Sequence, residues 1–419
     1  MHKKLRVFKN IGELLTLSGA QAKGGRSVEE SDLSIIRDAV MVCADGKVAW
    51  AGTRQDFSDE VLTAFGGRSR ADFVDMGGRT LLPGFVECHT HLVFAGDRSE
   101  EFEWRMRGQT YQEISAKGGG ILSTVRATRE ATPGSLQELA QERANQFLRQ
   151  GVTCLEVKSG YGLDLDTEIK CLEVAGRLKG PQIVRTYLGA HSRSPDHPDL
   201  AAYMKFIIKN VLPRVAREEL ADRVDIYIEK GFYDLKLARD YFEAAKAFGL
   251  PITAHAEQLS EFGGTELALE FKPQSVDHVV YINDQTIEAL AKSSSVAVLL
   301  PASDFYLKMR YPPARELIRS GACVAISTDF NPGTSPTQDL SLVGVLARVE
   351  MKMTLAEVIC AYTLGAAYAL GKNLELGTLT GGKWCDFSVL SGSWRELFYS
   401  VGHHPVVEVY RSGERIKES

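Results

Sequence analysis

The sequence has no apolar run approaching the roughly 18–20 residues that cross a bilayer as a helix. Its basic start, Met1-His2-Lys3-Lys4-Leu5-Arg6, is not followed by the apolar core of a secretory signal. The expectation is a soluble, cytoplasmic chain with no membrane partner. There is no C-x-x-C pair. Seven cysteines, an odd number, are scattered at 43, 88, 154, 171, 323, 360 and 385. That excludes a disulfide framework and a zinc-finger pattern and leaves reduced core thiols. Positive charge is not in excess: 49 Lys and Arg face 54 Asp and Glu, a formal net charge of −5. Neither a nucleic-acid surface nor a basic membrane patch is expected. The 38 glycines show no G-X-Y period, which excludes a collagen-like helix, and 44% hydrophobic residues exclude wholesale disorder. At 419 residues a single small core does not suffice, so a large domain plus a smaller one is expected.

Residues 1 to about 82 read as short strands and turns. Ala39-Val40-Met41-Val42-Cys43 runs through Ala44-Asp45-Gly46-Lys47 into Val48-Ala49-Trp50-Ala51-Gly52, a hairpin signature. The C-terminal stretch has the same style, at 377–383, 386–390 and 406–410, with a turn at Ser412-Gly413-Glu414. Each end is too small to fold alone, so the two are expected to form one small β domain, 1–82 plus 372–419. Between them, apolar strand-like runs recur at 81–91, 152–158, 183–191, 224–229, 251–257, 275–279, 296–301 and 323–329. Helical periodicity separates most of them, at 135–150, 164–178, 201–220, 236–248 and 354–370. Ser135-x-x-Glu138 is read as the capping box of the first. Eight alternating strands and helices predict an α/β fold, a (β/α)₈ TIM-type barrel over 83–371. The rival is a doubly wound open sheet. A barrel requires functional residues at the C-terminal ends of its strands.

Five of the nine histidines close strand-like runs: His89, His91, His191, His255 and His278; Asp329 closes the last. Core packing does not explain six such residues at one end of five strands. His89-Thr90-His91 has i, i+2 spacing, which on a strand puts both imidazoles on one face, a start for a Zn²⁺ or Fe²⁺ site.

Pro83-Gly84-Phe85-Val86-Glu87-Cys88-His89-Thr90-His91 with Ser327-Thr328-Asp329 resembles the metal-dependent amidohydrolase superfamily. Longer blocks are similar to its imidazolonepropionase family. These are His89–Arg98 in full (His89-Thr90-His91-Leu92-Val93-Phe94-Ala95-Gly96-Asp97-Arg98), Lys158-Ser159-Gly160-Tyr161-Gly162-Leu163-Asp164 and Tyr187-Leu188-Gly189-Ala190-His191. Two more are His255-Ala256-Glu257-Gln258-Leu259 and Thr328-Asp329-Phe330-Asn331-Pro332-Gly333-Thr334-Ser335-Pro336. The resemblance implies one divalent metal ion, Zn²⁺ or Fe²⁺, held by His89, His91, His255 and Asp329. It implies a hydrolase that opens 4-imidazolone-5-propanoate to N-formimidoyl-L-glutamate, a step of histidine degradation, and, from family habit alone, a homodimer. It places Arg98, Tyr161, His191, Gln258, Asn331, Gly333 and Thr334 at the small-molecule substrate. In kind the residues agree. A guanidinium can clamp a carboxylate bidentately, and a glycine at 333 can bring a backbone N–H close to a ligand.

A bound cation lowers the pKa of its water, and a general base must move the proton to the leaving nitrogen. Asp329 is the first candidate for that base and His278 the second. Some related deaminases carry a Glu three residues after the fifth-strand His; here Gln258 stands there, which fits substrate binding rather than proton transfer. Glu257, at i+2 from His255, would share its face if the strand continued. A two-metal cyclic amidase is the rival activity; it would need Lys230 as a carboxylated bridge. A purine or pyrimidine aminohydrolase and an inactive interaction module are further alternatives.

Overall fold

The computed structural model describes residues 5–109, 113 and 119–416. Eight parallel strands follow one another around a curled sheet: β1 Phe85–Glu87, β2 Val152–Lys158, β3 Gln182–Ala190, β4 Arg223–Ile228, β5 Thr253–Ala256, β6 Ser275–His278, β7 Val296–Leu299 and β8 Cys323–Ile326. Just beyond β1 and β8, Thr90 bridges Phe330 in parallel, and the His91 N–H donates to the Phe330 carbonyl at 2.9 Å. The sheet's two edges thus meet at the C-terminal end, as a barrel requires and an open doubly wound sheet does not.

The second sheet joins both ends of the chain. Leu5–Leu15 pairs antiparallel with Ile35–Ala44, which pairs with Lys47–Thr53; on the other side Thr80–Pro83, Phe387–Leu390 and Val406–Arg411 follow. The hairpin predicted at Asp45-Gly46 is present, with φ of 52° and 79° at the two turn residues.

Three expectations change. The run at 81–91 is not one strand. Thr80–Pro83 belongs to the terminal sheet and Phe85–Glu87 to the barrel, with the chain changing sheets at Gly84. A β-carbon on Gly84 would lie 2.3 Å from the Thr153 side chain, so only glycine lets β1 approach β2 there. The helix predicted from Ser135 is Pro133–Arg149, and its N-cap is Thr132, whose hydroxyl accepts from the Ser135 N–H. Residues 377–383 form no strand, because Gly377 and Gly382 adopt φ near +86° and +89°. They instead make one backbone bond with Thr16 and two with Val48.

The periodic helices at 201–220 and 354–370 each contain a wider turn, Ile207–Val211 and Ala361–Gly365. In the first, Pro213 follows at once and supplies no N–H to the regular ladder. In the second, Gly365 packs so tightly that a β-carbon would sit 2.2 Å from the Val324 carbonyl oxygen of β8.

Candidate metal centre and substrate cavity

His89, His91, His255, His278 and Asp329 are all at most 3% exposed and converge at the C-terminal mouth of the barrel. Nitrogen and oxygen atoms of His89, His91 and Asp329 lie within 4.8 Å of one another, as do those of His89, His255 and His278. Asp329 Oδ1 is 3.4 Å from His89 Nε2 and 3.5 Å from His91 Nε2. The strand ends are bent to achieve this: Glu257, His278, Val279 and Asp329 all have φ between 45° and 78°. Such angles are uncommon for residues with a β-carbon, and for a β-branched valine they mark local strain.

The chemistry of the cluster suits a cation. His89 Nε2 and His255 Nε2 are buried without a hydrogen-bond partner, while each ring's Nδ1 is engaged behind. His89 Nδ1 is 2.6 Å from Asp277 Oδ2, and His255 Nδ1 is 3.0 Å from Asp225 Oδ2. A carboxylate behind each ring fixes the tautomer that turns a lone pair forward, the arrangement metal-binding histidines use. Burial and Lys158 oppose protonation of His89, yet Asp277 and Asp329 raise it to about 9, so positive charge is favoured here. Burial raises the cost of ionising Asp329, but His89 and His91 hold its carboxyl well below the usual range. Burial lowers His91 to about 4, and it pushes His278 well below its ordinary value, leaving both neutral. His278 is therefore an uncharged imidazole in this site.

Behind the histidines lies a charged layer that the strand pattern concealed. Lys158, Glu156, Arg223, Asp225 and Asp277 are all at most 1% exposed and ion-paired. In front, buried glutamates shape the loops. Glu168 accepts from the N–H groups of Gly160, Gly162 and Leu163 at 2.8–3.0 Å, holding the loop that displays Tyr161. Glu229 accepts from the Leu259 N–H at 2.8 Å and from the Ser260 hydroxyl. Glu87 accepts from the Thr328 N–H at 3.0 Å, next to Asp329.

Glu257 belongs to this group. The strand ends at Ala256, Glu257 turns to φ 49°, and its carboxylate accepts from the N–H groups of Gly264 and Thr265 at 2.6 and 2.8 Å. It does not share the face of His255, so the expectation of a carboxylate there is corrected. With Glu229 and Glu257 pinning the loop on either side, Gln258 faces the cavity.

That cavity measures about 170 Å³. Its walls include Arg98, Tyr161, His191, Gln258, Asn331 and Thr334 beside the metal cluster. Arg98 is forked onto Glu101, its Nε donating at 2.9 Å, and Glu101 in turn accepts from the Gly120 N–H. The pair is only 13% and 9% exposed and orients Arg98 at the cavity rather than on the surface. His191 Nδ1 lies 3.0 Å from the Gly160 carbonyl oxygen, which can only accept, and burial lowers His191 to about 3. Its Nδ1 thus carries the proton and Nε2 is an acceptor. Tyr161 is kept protonated by burial, and so is a donor.

Gly333 and Asn331 are also bonded within their own loop. The Gly333 N–H is spent on Asn331 Oδ1 at 2.8 Å, and the Thr334 N–H on the same oxygen at 2.7 Å. Asn331 Nδ2 donates back to the Asp329 carbonyl at 2.7 Å. Asn331 builds the turn behind Asp329, and Gly333 serves by being small, since it lies directly against Arg98. Lys230 is exposed just beyond β4 and is not among the residues that line the cavity, so it is not placed as the bridging lysine of a two-metal centre.

A model of the Amidohydrolase family matches residues 80–416. The chain is 48% identical over 410 residues to an imidazolonepropionase of Bdellovibrio bacteriovorus, covering 98% of this chain and 96% of that one. It is 38% identical to one of Clostridium tetani, covering 97% of each. Among solved structures it is similar to an adenosine deaminase from Xanthomonas campestris with bound zinc, at TM-score 0.71 and 16% identity over 98% of this chain and 92% of that one. It is also similar to a mutant atrazine chlorohydrolase from Arthrobacter aurescens complexed with zinc and atraton, at TM-score 0.72 and 15% identity, over 99% and 95%. At those identities the structural likeness speaks for the fold.

Proposed function

The chain belongs to the imidazolonepropionases of the amidohydrolase family, and on that premise we propose how its residues carry the reaction. It is a hydrolase of a C–N bond, opening the ring of 4-imidazolone-5-propanoate to N-formimidoyl-L-glutamate in histidine degradation. The family is metal-dependent. His89, His91, His255 and Asp329 would hold the ion, and three imidazoles with one carboxylate suit Zn²⁺ or Fe²⁺. When bound, the cation supplies Lewis-acid activation of water.

The remaining steps fall to side chains of this chain. Asp329 or neutral His278 takes the proton of the attacking water and returns it to the leaving ring nitrogen. Arg98, already oriented by Glu101, pairs with the propionate carboxylate. Tyr161 donates and His191 accepts, matching a ring that carries both a carbonyl and an N–H. Gln258 orients the ring and cannot transfer protons. A cytoplasmic location fits a metabolic enzyme; among the described residues no helix is long and apolar enough to cross a membrane. Family habit supports a homodimer.

The observation that carries this reading is the pair of orphaned, buried Nε2 atoms of His89 and His255 opening beside a cavity that also presents Arg98. The test is incubation with 4-imidazolone-5-propanoate and identification of the product. N-formimidoyl-L-glutamate is expected; an unchanged substrate with metal-loaded, folded protein overturns the reading.

A further inference from the structure

The two imidazoles whose Nε2 atoms face the metal position are tied to each other from behind, and we propose that Lys158 is the tie: a positioning residue that sets the spacing of His89 and His255. The inference rests on the metal reading above and extends it to a residue outside the ligand set.

Lys158 ends β2 with its side chain crossing the barrel interior, fully buried. Its ammonium lies 2.8 Å from Asp225 Oδ2 on β4 and 3.7 Å from Asp277 Oδ2 on β6. Those carboxylates are the ones that hold His255 Nδ1 and His89 Nδ1. The strand between them, β5, carries His255 itself. The chain of contacts therefore runs His255, Asp225, Lys158, Asp277, His89 without a gap wider than 3.7 Å. It frames two rings whose centroids are 4.5 Å apart.

Two buried carboxylates this close repel each other strongly in the low-dielectric interior. With one cation between them they settle at a fixed separation, and each ring follows its carboxylate. Lys158 is itself held in place. Glu156 Oε1 accepts from its Nζ at 2.9 Å and from Arg223 Nε at 3.0 Å, and Arg223 also donates to the Ala369 carbonyl at 2.6 Å. An ammonium has three protons, and Asp225 and Glu156 take two at short range. Asp277, at 3.7 Å, is held as an ion pair. A lysine that merely filled space would need none of this arrangement.

The test measures Zn²⁺ affinity, by competition with a chromophoric chelator, for wild type, Lys158→Met and the double variant Lys158→Met/Glu156→Gln. The double variant removes one charge of each sign, so the net charge of the buried layer is unchanged and a second variant is available if the single one does not fold. Both are expected to bind Zn²⁺ roughly ten- to a hundredfold more weakly than wild type. At saturating Zn²⁺ their KM for substrate should stay within about twofold, because no cavity wall is altered. Wild-type Zn²⁺ affinity in either folded variant overturns the proposal. Independently, NMR of the zinc-loaded wild-type protein should show slowly exchanging Nδ1–H protons on both His89 and His255; fast exchange at either also overturns it. Failure of the wild-type protein itself to bind Zn²⁺ or another divalent ion would instead remove the metal reading.

Discussion

The Arg98 guanidinium lies directly against Gly333: a β-carbon on that glycine would fall 2.1 Å from Nη1. The glycine's N–H is already used by Asn331, so its contribution is space, and the space is Arg98's. Gly333 is not among the glycines of positive φ. Gly333→Ala therefore imposes no backbone strain and acts by displacing the guanidinium. It should raise KM by roughly tenfold, the loss of about one charge-assisted hydrogen bond, with metal content unchanged. Arg98→Lys keeps the charge without the fork and should behave alike. Unaltered KM in both would remove Arg98 from the substrate.

Gln258 and His278 share the cavity but divide the work. Gln258→Ala should weaken substrate binding by about 0.5–1.5 kcal/mol, one net hydrogen bond, and leave both limbs of the kcat–pH profile in place. Gln258→Glu should remain active. His278→Ala should remove or shift a limb if His278 carries the proton. Abolished turnover in Gln258→Ala beside a wild-type profile in His278→Ala reverses this division.

Glu257 is a clamp. Glu257→Gln leaves one carboxamide oxygen to serve the Gly264 and Thr265 N–H groups that two carboxylate oxygens now share. The variant should lose about 1–3 kcal/mol of stability in denaturant melts, while kcat per folded molecule stays near wild type. A large fall in kcat without a fall in stability would give Glu257 a catalytic task after all.

Asp304 sets a pH dependence of stability. It is fully buried, neither carboxyl oxygen has a partner among the described residues, and burial with the nearby Asp329 charge raises it to about 8 from 3.8. Between about pH 4 and 8 the native chain keeps a proton that the unfolded chain has released, so stability falls as pH rises through that window. Asp304→Asn should therefore gain on wild type at pH 8 relative to pH 5. Parallel thermal melts at the two pH values check this, and an equal difference at both contradicts it.

Much of this architecture is legible in the sequence because the signals are periodic. Eight apolar runs alternate with helical stretches, and histidines close them where a parallel barrel puts its chemistry. The site's second layer is not marked that way. Asp225 sits in Val224-Asp225-Ile226 and Asp277 in Val276-Asp277-His278, where a lone charge looks like an interruption of the strand. Glu156-Val157-Lys158 held a usable clue, since two opposite charges at i, i+2 on a central strand share one face and must be paired if buried. The place of Glu257 is hidden from the sequence for another reason. A period-two argument assumes that the strand continues, and the turn to positive φ at a residue with a β-carbon is dictated by its bonds to Gly264 and Thr265, which lie outside any local pattern. The split at Gly84 depended likewise on a tertiary contact, with Thr153.

The most direct measurement is the return of activity as Zn²⁺ is added to protein stripped by a chelator. With His89, His91, His255 and Asp329 as one ligand set, hydrolysis of 4-imidazolone-5-propanoate should rise linearly and break at one equivalent per chain. A break at two equivalents, or full activity in the stripped protein, would contradict the single-metal account.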